Sequence, residues 1–136
     1  MKKMLFIQDC GTYSNEILVG IGVNKKEVLV FAKKKRFKKD VIKWIEEDED
    51  IFKIKELNKG LFCYNDKAGC SILLLNPYSE CWDYWETLIH EISHIVHKIT
   101  KDKMMLHEDE AKAYLSDFLF RKIRRKIQGV DSIKER

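Results

Sequence analysis

The single proline, Pro77, divides the 136-residue chain into two textures, and the part that follows it constrains the fold most. From 77 to 100 nothing breaks a helical pattern after its start, and Ser79 stands where an N-cap belongs. That stretch reads as one long helix. Residues 101–105 make a polar connection ending in two methionines, and a second long helix is expected from 107 to about 128, stopped near Gly129.

The first half supplies something for these helices to pack on. EILVGIGV (16–23) and EVLVFA (27–32) are β-rich runs around Asn24, Lys25 and Lys26, a pattern expected for a hairpin. In KKDVIKWIEEDED the apolar Val41, Ile42, Trp44 and Ile45 are spaced for a short amphipathic helix. GLFCYN (60–65) and CSILLLN (70–76) flank Asp66-Lys67-Ala68-Gly69, a second expected hairpin with turn residues in place. The order predicts an α+β fold: a small antiparallel or mixed sheet packed on one side against two long helices. The length suits one domain, 1–136.

Composition narrows the class. Apolar residues make up 45 % and charged residues 35 %, the profile of a soluble globular protein. No window approaches the ~18 apolar residues of a membrane span. The apolar run near the N-terminus covers only 4–7, short of the roughly 7–15 residues of a secretory core, so a cytoplasmic protein is expected. Cys10, Cys63, Cys70 and Cys81 form no C-x-x-C pair, which fits free thiols in a reducing compartment. Net charge is +4, with basic clusters at 33–39 and 121–126 and acid at 46–50. Either basic cluster could meet a phosphate backbone, but a solvated face offset by nearby acids is the simpler account, so nucleic acid is the less favoured partner.

Within the first long helix lies His90-Glu91-Ile92-Ser93-His94, an H-E-x-x-H pattern. Residues four apart share one helical face, so both imidazoles can reach a single ion. Glu91, beside the first histidine, can take a proton from water polarised by that ion and pass it to a leaving amine. Zinc suits two neutral imidazoles plus a carboxylate and leaves one position open. The flanks Thr87, Leu88, Ile95 and Val96 are uncharged, as a helix buried behind its metal-bearing face requires. His97 follows His90 by seven residues, roughly 10.5 Å along the axis, so it reads as a bystander. The third ligand must come from elsewhere.

Here a resemblance enters. HEISH followed, after a short connection, by HEDEAKAYLSDFL resembles the small phage and bacterial metallopeptidase-like proteins of the ImmA/IrrE group and other mini-gluzincins. In such peptidases a glutamate on the following helix, often in E-x-x-A, completes the zinc shell. The segment offers Glu108 with Ala111 and Glu110 with Ala113; the match to Glu-x-x-Ala-Tyr-Leu favours Glu110, with Ala113, Tyr114 and Leu115 following. The resemblance spans roughly 69–120. It implies a zincin-like fold, one zinc held by His90, His94 and Glu110, Glu91 as general base, and a protein or peptide substrate, a regulator or repressor by analogy. It also implies that 70–76 is an edge strand pairing with substrate. Tyr114 and His107 are candidates to stabilise the oxyanion, and Asp117 to steady a ligand histidine. The chain departs from the group in its short connection and in carrying Tyr114 where a polar partner for the ligand histidine is usual.

Two alternatives stand beside this. Peptide deformylases also combine H-E-x-x-H with a Gly-Cys strand, echoed by Gly69-Cys70, although their glycine-rich motifs are missing here. The other is a non-catalytic zinc-binding module that uses its basic faces for protein or nucleic-acid contacts.

Overall fold

A computed structural model describes residues 3–48, 60–65, 70–103 and 108–129, with backbone only for Ser14 and 60–65. The elements in chain order are β1 (Met4–Cys10), β2 (Tyr13–Ile21), α1 (Lys25–Lys34), α2 (Lys39–Glu47), β3 (Gly60–Asn65), β4 (Cys70–Leu75), α3 (Trp82–Asp102) and α4 (Asp109–Gln128). The fold is α+β with one mixed sheet in the order β1-β2-β4-β3. β1 and β2 are antiparallel, β2 and β4 parallel, β4 and β3 antiparallel. The second hairpin forms as expected, with Gly60 opposite Leu75 and Asn65 opposite Cys70; its turn, 66–69, lies outside the described residues.

The first hairpin does not form. EVLVFA is helical, within α1, and β2 pairs instead with β1 and β4. Asn24 closes the N-terminus through a capping box: its side chain accepts from the Glu27 N–H at 2.9 Å, and Glu27 accepts from the Asn24 N–H at 3.1 Å. Val28 and Ala32, four apart and both fully buried, then give α1 a core-facing stripe. Capping and tertiary burial override the β propensity of Val28 and Val30.

Helices therefore cover both faces of the sheet rather than one. Alternation along β2 and β4 sorts their side chains into two cores. Leu18, Ile72 and Leu74 meet Val28 and Ala32 of α1 and Val41 and Ile45 of α2. Ile17, Val19, Ile21, Leu73 and Leu75 meet the long pair, Leu88, Ile92, Ile95 and Ile99 of α3 with Leu115, Leu119 and Ile123 of α4. All six residues of β4 are buried, which corrects the expectation of an edge strand: 70–75 lies between β2 and β3, and the edges are β1 and β3. A strand apolar on both faces belongs inside a sheet covered on both sides. Gly20 of β2 is needed there, because a Cβ would come within 2.6 Å of Val23 Cγ2 and 2.9 Å of Leu74 Cδ2.

The two long helices carry the site. α3 has 21 residues and α4 has 20. α3 starts at Trp82 rather than at Ser79, with Cys81 in the cap position and the Tyr84 hydroxyl donating to the Asn76 carbonyl at 2.9 Å. α4 ends where expected, with Gly129 left-handed at φ 75° and its N–H reaching the Arg125 and Lys126 carbonyls. Trp85, in the first turn of α3, meets Phe120, just past the middle of α4, edge to face with ring centroids 6.4 Å apart. The Lys126 ammonium sits 4.9 Å from the Phe6 ring centre and ties α4 to β1. No helix among the described residues is long and apolar enough to cross a membrane.

Candidate metal centre

α3 buries one arc and exposes the other. Tyr84, Leu88, Ile92, Ile95 and Ile99 face the core, while Glu86, Ile89, His90, Ser93, His94 and His97 face solvent. Helical spacing brings His90 and His94 together on the exposed side, with Nε2 to Nε2 at 3.2 Å. Their rings stand edge to face, centroids 4.7 Å apart at 89°. Two nitrogens bonded at about 2.0–2.1 Å to a tetrahedral ion lie roughly 3.3 Å apart, so the pair has the bite of a zinc chelate. The Ser93 hydroxyl donates to the His90 carbonyl at 2.6 Å, turning that side chain back along the helix.

Glu91 occupies the border of the buried arc and is only 8 % exposed. Burial raises its pKa above the ordinary glutamate value, while the neighbouring His90 and His94 pull it down. A carboxyl whose pKa is raised by burial beside two imidazoles is suited to taking up and releasing a proton. His97 is exposed and does not join the pair, as its place in the helix implies.

The third ligand is not assembled in the same way. Among the described residues no group of three or more His, Cys, Asp or Glu side chains is gathered to hold a metal, so neither Glu110 nor Glu108 completes the pair. Their settings nevertheless differ. Glu110 belongs to the first turn of α4, whereas Glu108 is the cap residue, with φ −88° and ψ 77° outside the helix. Phe120 and Arg124 both lie against Trp85 of α3. Counting back by turns from Arg124, the same stripe runs through Asp117 and Ala113 to Glu110, all exposed, while Leu115, Leu119 and Ile123 pack in the core shared with α3. Of the other candidates, Tyr114 is 71 % exposed, and His107 lies outside the described residues. Cys70 is buried in the core on the α1/α2 side, with its thiol pKa raised to about 11 by burial and by Glu16, and it joins no metal-holding group among the described residues.

One arrangement beside the histidines is not evident from the motif. Trp82, Trp85 and Ile89 of α3, with Phe120 and Arg124 of α4, line a groove of about 420 Å³ closed by Glu80 and Cys81. The spacing of these residues, three and four apart on each helix, was the available signal. Arg124 thereby separates from the basic run 121–126 as a placed residue rather than part of a solvated face. The two basic clusters sit on opposite sides of the sheet, one at the α1–α2 junction and one on α4, and make no single basic surface.

No protein family, curated protein or solved structure matches this chain.

Proposed function

We propose that the chain is a zinc-dependent metallopeptidase with a zincin-like site, acting on a protein or peptide substrate in the cytoplasm. The observation that carries this reading is the 3.2 Å convergence of His90 and His94 with Glu91 buried next to them. His90 and His94 would hold the ion through Nε2, and Glu110 would supply the carboxylate; its place in the first turn of α4 and the Glu-x-x-Ala-Tyr-Leu match support it over Glu108. A zinc ion held there polarises the scissile carbonyl and lowers the cost of deprotonating water. Glu91 takes the proton as water oxygen bonds to the carbonyl carbon, then delivers it to the departing amine as the C–N bond breaks. Both imidazoles are exposed, so an extended chain could reach the place where they would hold the ion.

A structural zinc site has no need of a carboxyl beside its ligands and favours a closed shell of four. The buried Glu91 therefore supports catalysis. The second reading, a non-catalytic zinc-binding module for protein or nucleic acid, draws on the absence of a third ligand beside the pair among the described residues. Glu91→Gln separates the two. Under the first reading it keeps the metal and abolishes the cleavage seen by comparing proteomes of cells making wild type or variant. Under the second the two proteomes are identical, and any retained DNA or RNA is released steeply by salt and not by chelator.

A further inference from the structure

The groove between the start of α3 and the second half of α4 has the Arg124 cation at its wall, with no ion pair to it among the described residues. Arg124 is exposed, and its guanidinium carbon lies 5.0 Å from the Trp85 ring centre and 5.8 Å from that of Phe120. The guanidinium sits over both rings, and its donors form no ion pair among the described residues. Trp82, 71 % exposed, and Ile89, 47 % exposed, extend the apolar lining towards His90. Glu80 also lines the groove, its Oε1 accepting from the Trp85 indole N–H at 3.4 Å and forming no ion pair with Arg124.

We propose that this groove selects the substrate, and that its occupant is an internal segment of a protein carrying a large apolar residue next to an acidic one. The apolar side chain lies against Trp82, Trp85 and Ile89, and the carboxylate pairs with Arg124. This rests on the peptidase reading for the occupant's role as substrate, but the binding itself does not.

The test uses full-length Glu91→Gln, which binds without turnover, and short peptides blocked at both ends that contain Leu-Glu, Leu-Gln or Ala-Glu. Titration calorimetry should rank Leu-Glu first, with Leu-Gln and Ala-Glu each weaker by about 10-fold or more. Adding Arg124→Gln should erase the preference of Glu over Gln, whereas adding Ile89→Glu, on an exposed position, should weaken the acidic peptide most. Should Arg124→Gln fail to fold, the Ile89 variant alone decides. Equal affinity for the three peptides, indifference to both substitutions, or tighter binding of a free terminal carboxylate than of the internal acid overturns the proposal. If the preference holds but wild type with zinc never cleaves these peptides, the groove stands and the peptidase reading falls. If wild type cleaves other sequences without regard to Arg124, the reverse is true.

Discussion

His90 Nε2 and His94 Nε2 lie 3.2 Å apart on one exposed face of α3, close to the separation two imidazoles adopt on one tetrahedral ion. The helix brings both imidazoles together without a metal, so zinc binding as proposed should feed directly into stability. Zinc at about 100-fold over its Kd is expected to add about 2.7 kcal/mol. Differential scanning calorimetry should show Tm rising with zinc in wild type and standing still in His94→Ala. A Tm indifferent to zinc in wild type sinks the preformed chelate.

Glu91 makes a prediction that needs no substrate. Burial lifts its pKa above the usual glutamate value despite His90 and His94. In metal-free protein the native state thus holds this proton more tightly than the unfolded chain, whose glutamate titrates near 4.3. The associated stability is complete below that value and is lost as pH rises through the raised folded value. Glu91→Gln is immune to the loss. With chelator present, its Tm should approach that of wild type at acid pH and exceed it at neutral pH; parallel profiles would contradict the burial of this carboxyl.

The capping box at Asn24 tests the part of the fold that the β-rich reading of 27–32 missed. Asn24→Ala should cost about 1 kcal/mol in urea unfolding by removing the acceptor for the Glu27 N–H. A strand at these positions would not notice the change, so an unaltered midpoint argues against α1.

Thiol reactivity reports on the core. Burial with Asp9 and Glu16 nearby raises the Cys10 thiol to about 12, and burial with Glu16 raises Cys70 to about 11, whereas Cys81 is exposed at the cap of α3. Peptide-resolved mass spectrometry after mild alkylation should find Cys81 modified in the native protein, and Cys10 and Cys70 only after denaturation. Early labelling of Cys70 would mean that the sheet is not covered on the α1/α2 face.

Much of this was legible in the sequence wherever one local signal sufficed. Gly129 stops α4, the apolar spacing of 41–45 gives α2, and 60–65 pairs with 70–75 as expected. The convergence of His90 and His94 follows from helical spacing alone. Errors arose where long-range packing decides. Val28 and Val30 suggest a strand until the sheet is known to need a covering layer, and only the neighbour β2 shows that β4 is interior. Ser79 looked like the cap of α3, but the chain turns until Cys81 before the helix begins. The Arg124 stack joins two helices through residues far apart in sequence, so no single motif carries it.

The central claim is a zinc site built on His90 and His94 with Glu110 as the third ligand, and metal analysis of purified protein tests it most directly. One zinc per chain is predicted for wild type and for Glu91→Gln. His90→Ala, His94→Ala and Glu110→Ala should each lose it, with affinity falling by more than the ~10–100-fold typical of losing an outer-shell partner. Zinc kept by Glu110→Ala and lost by Glu108→Ala contradicts the third ligand; wild type that takes up no zinc contradicts the site.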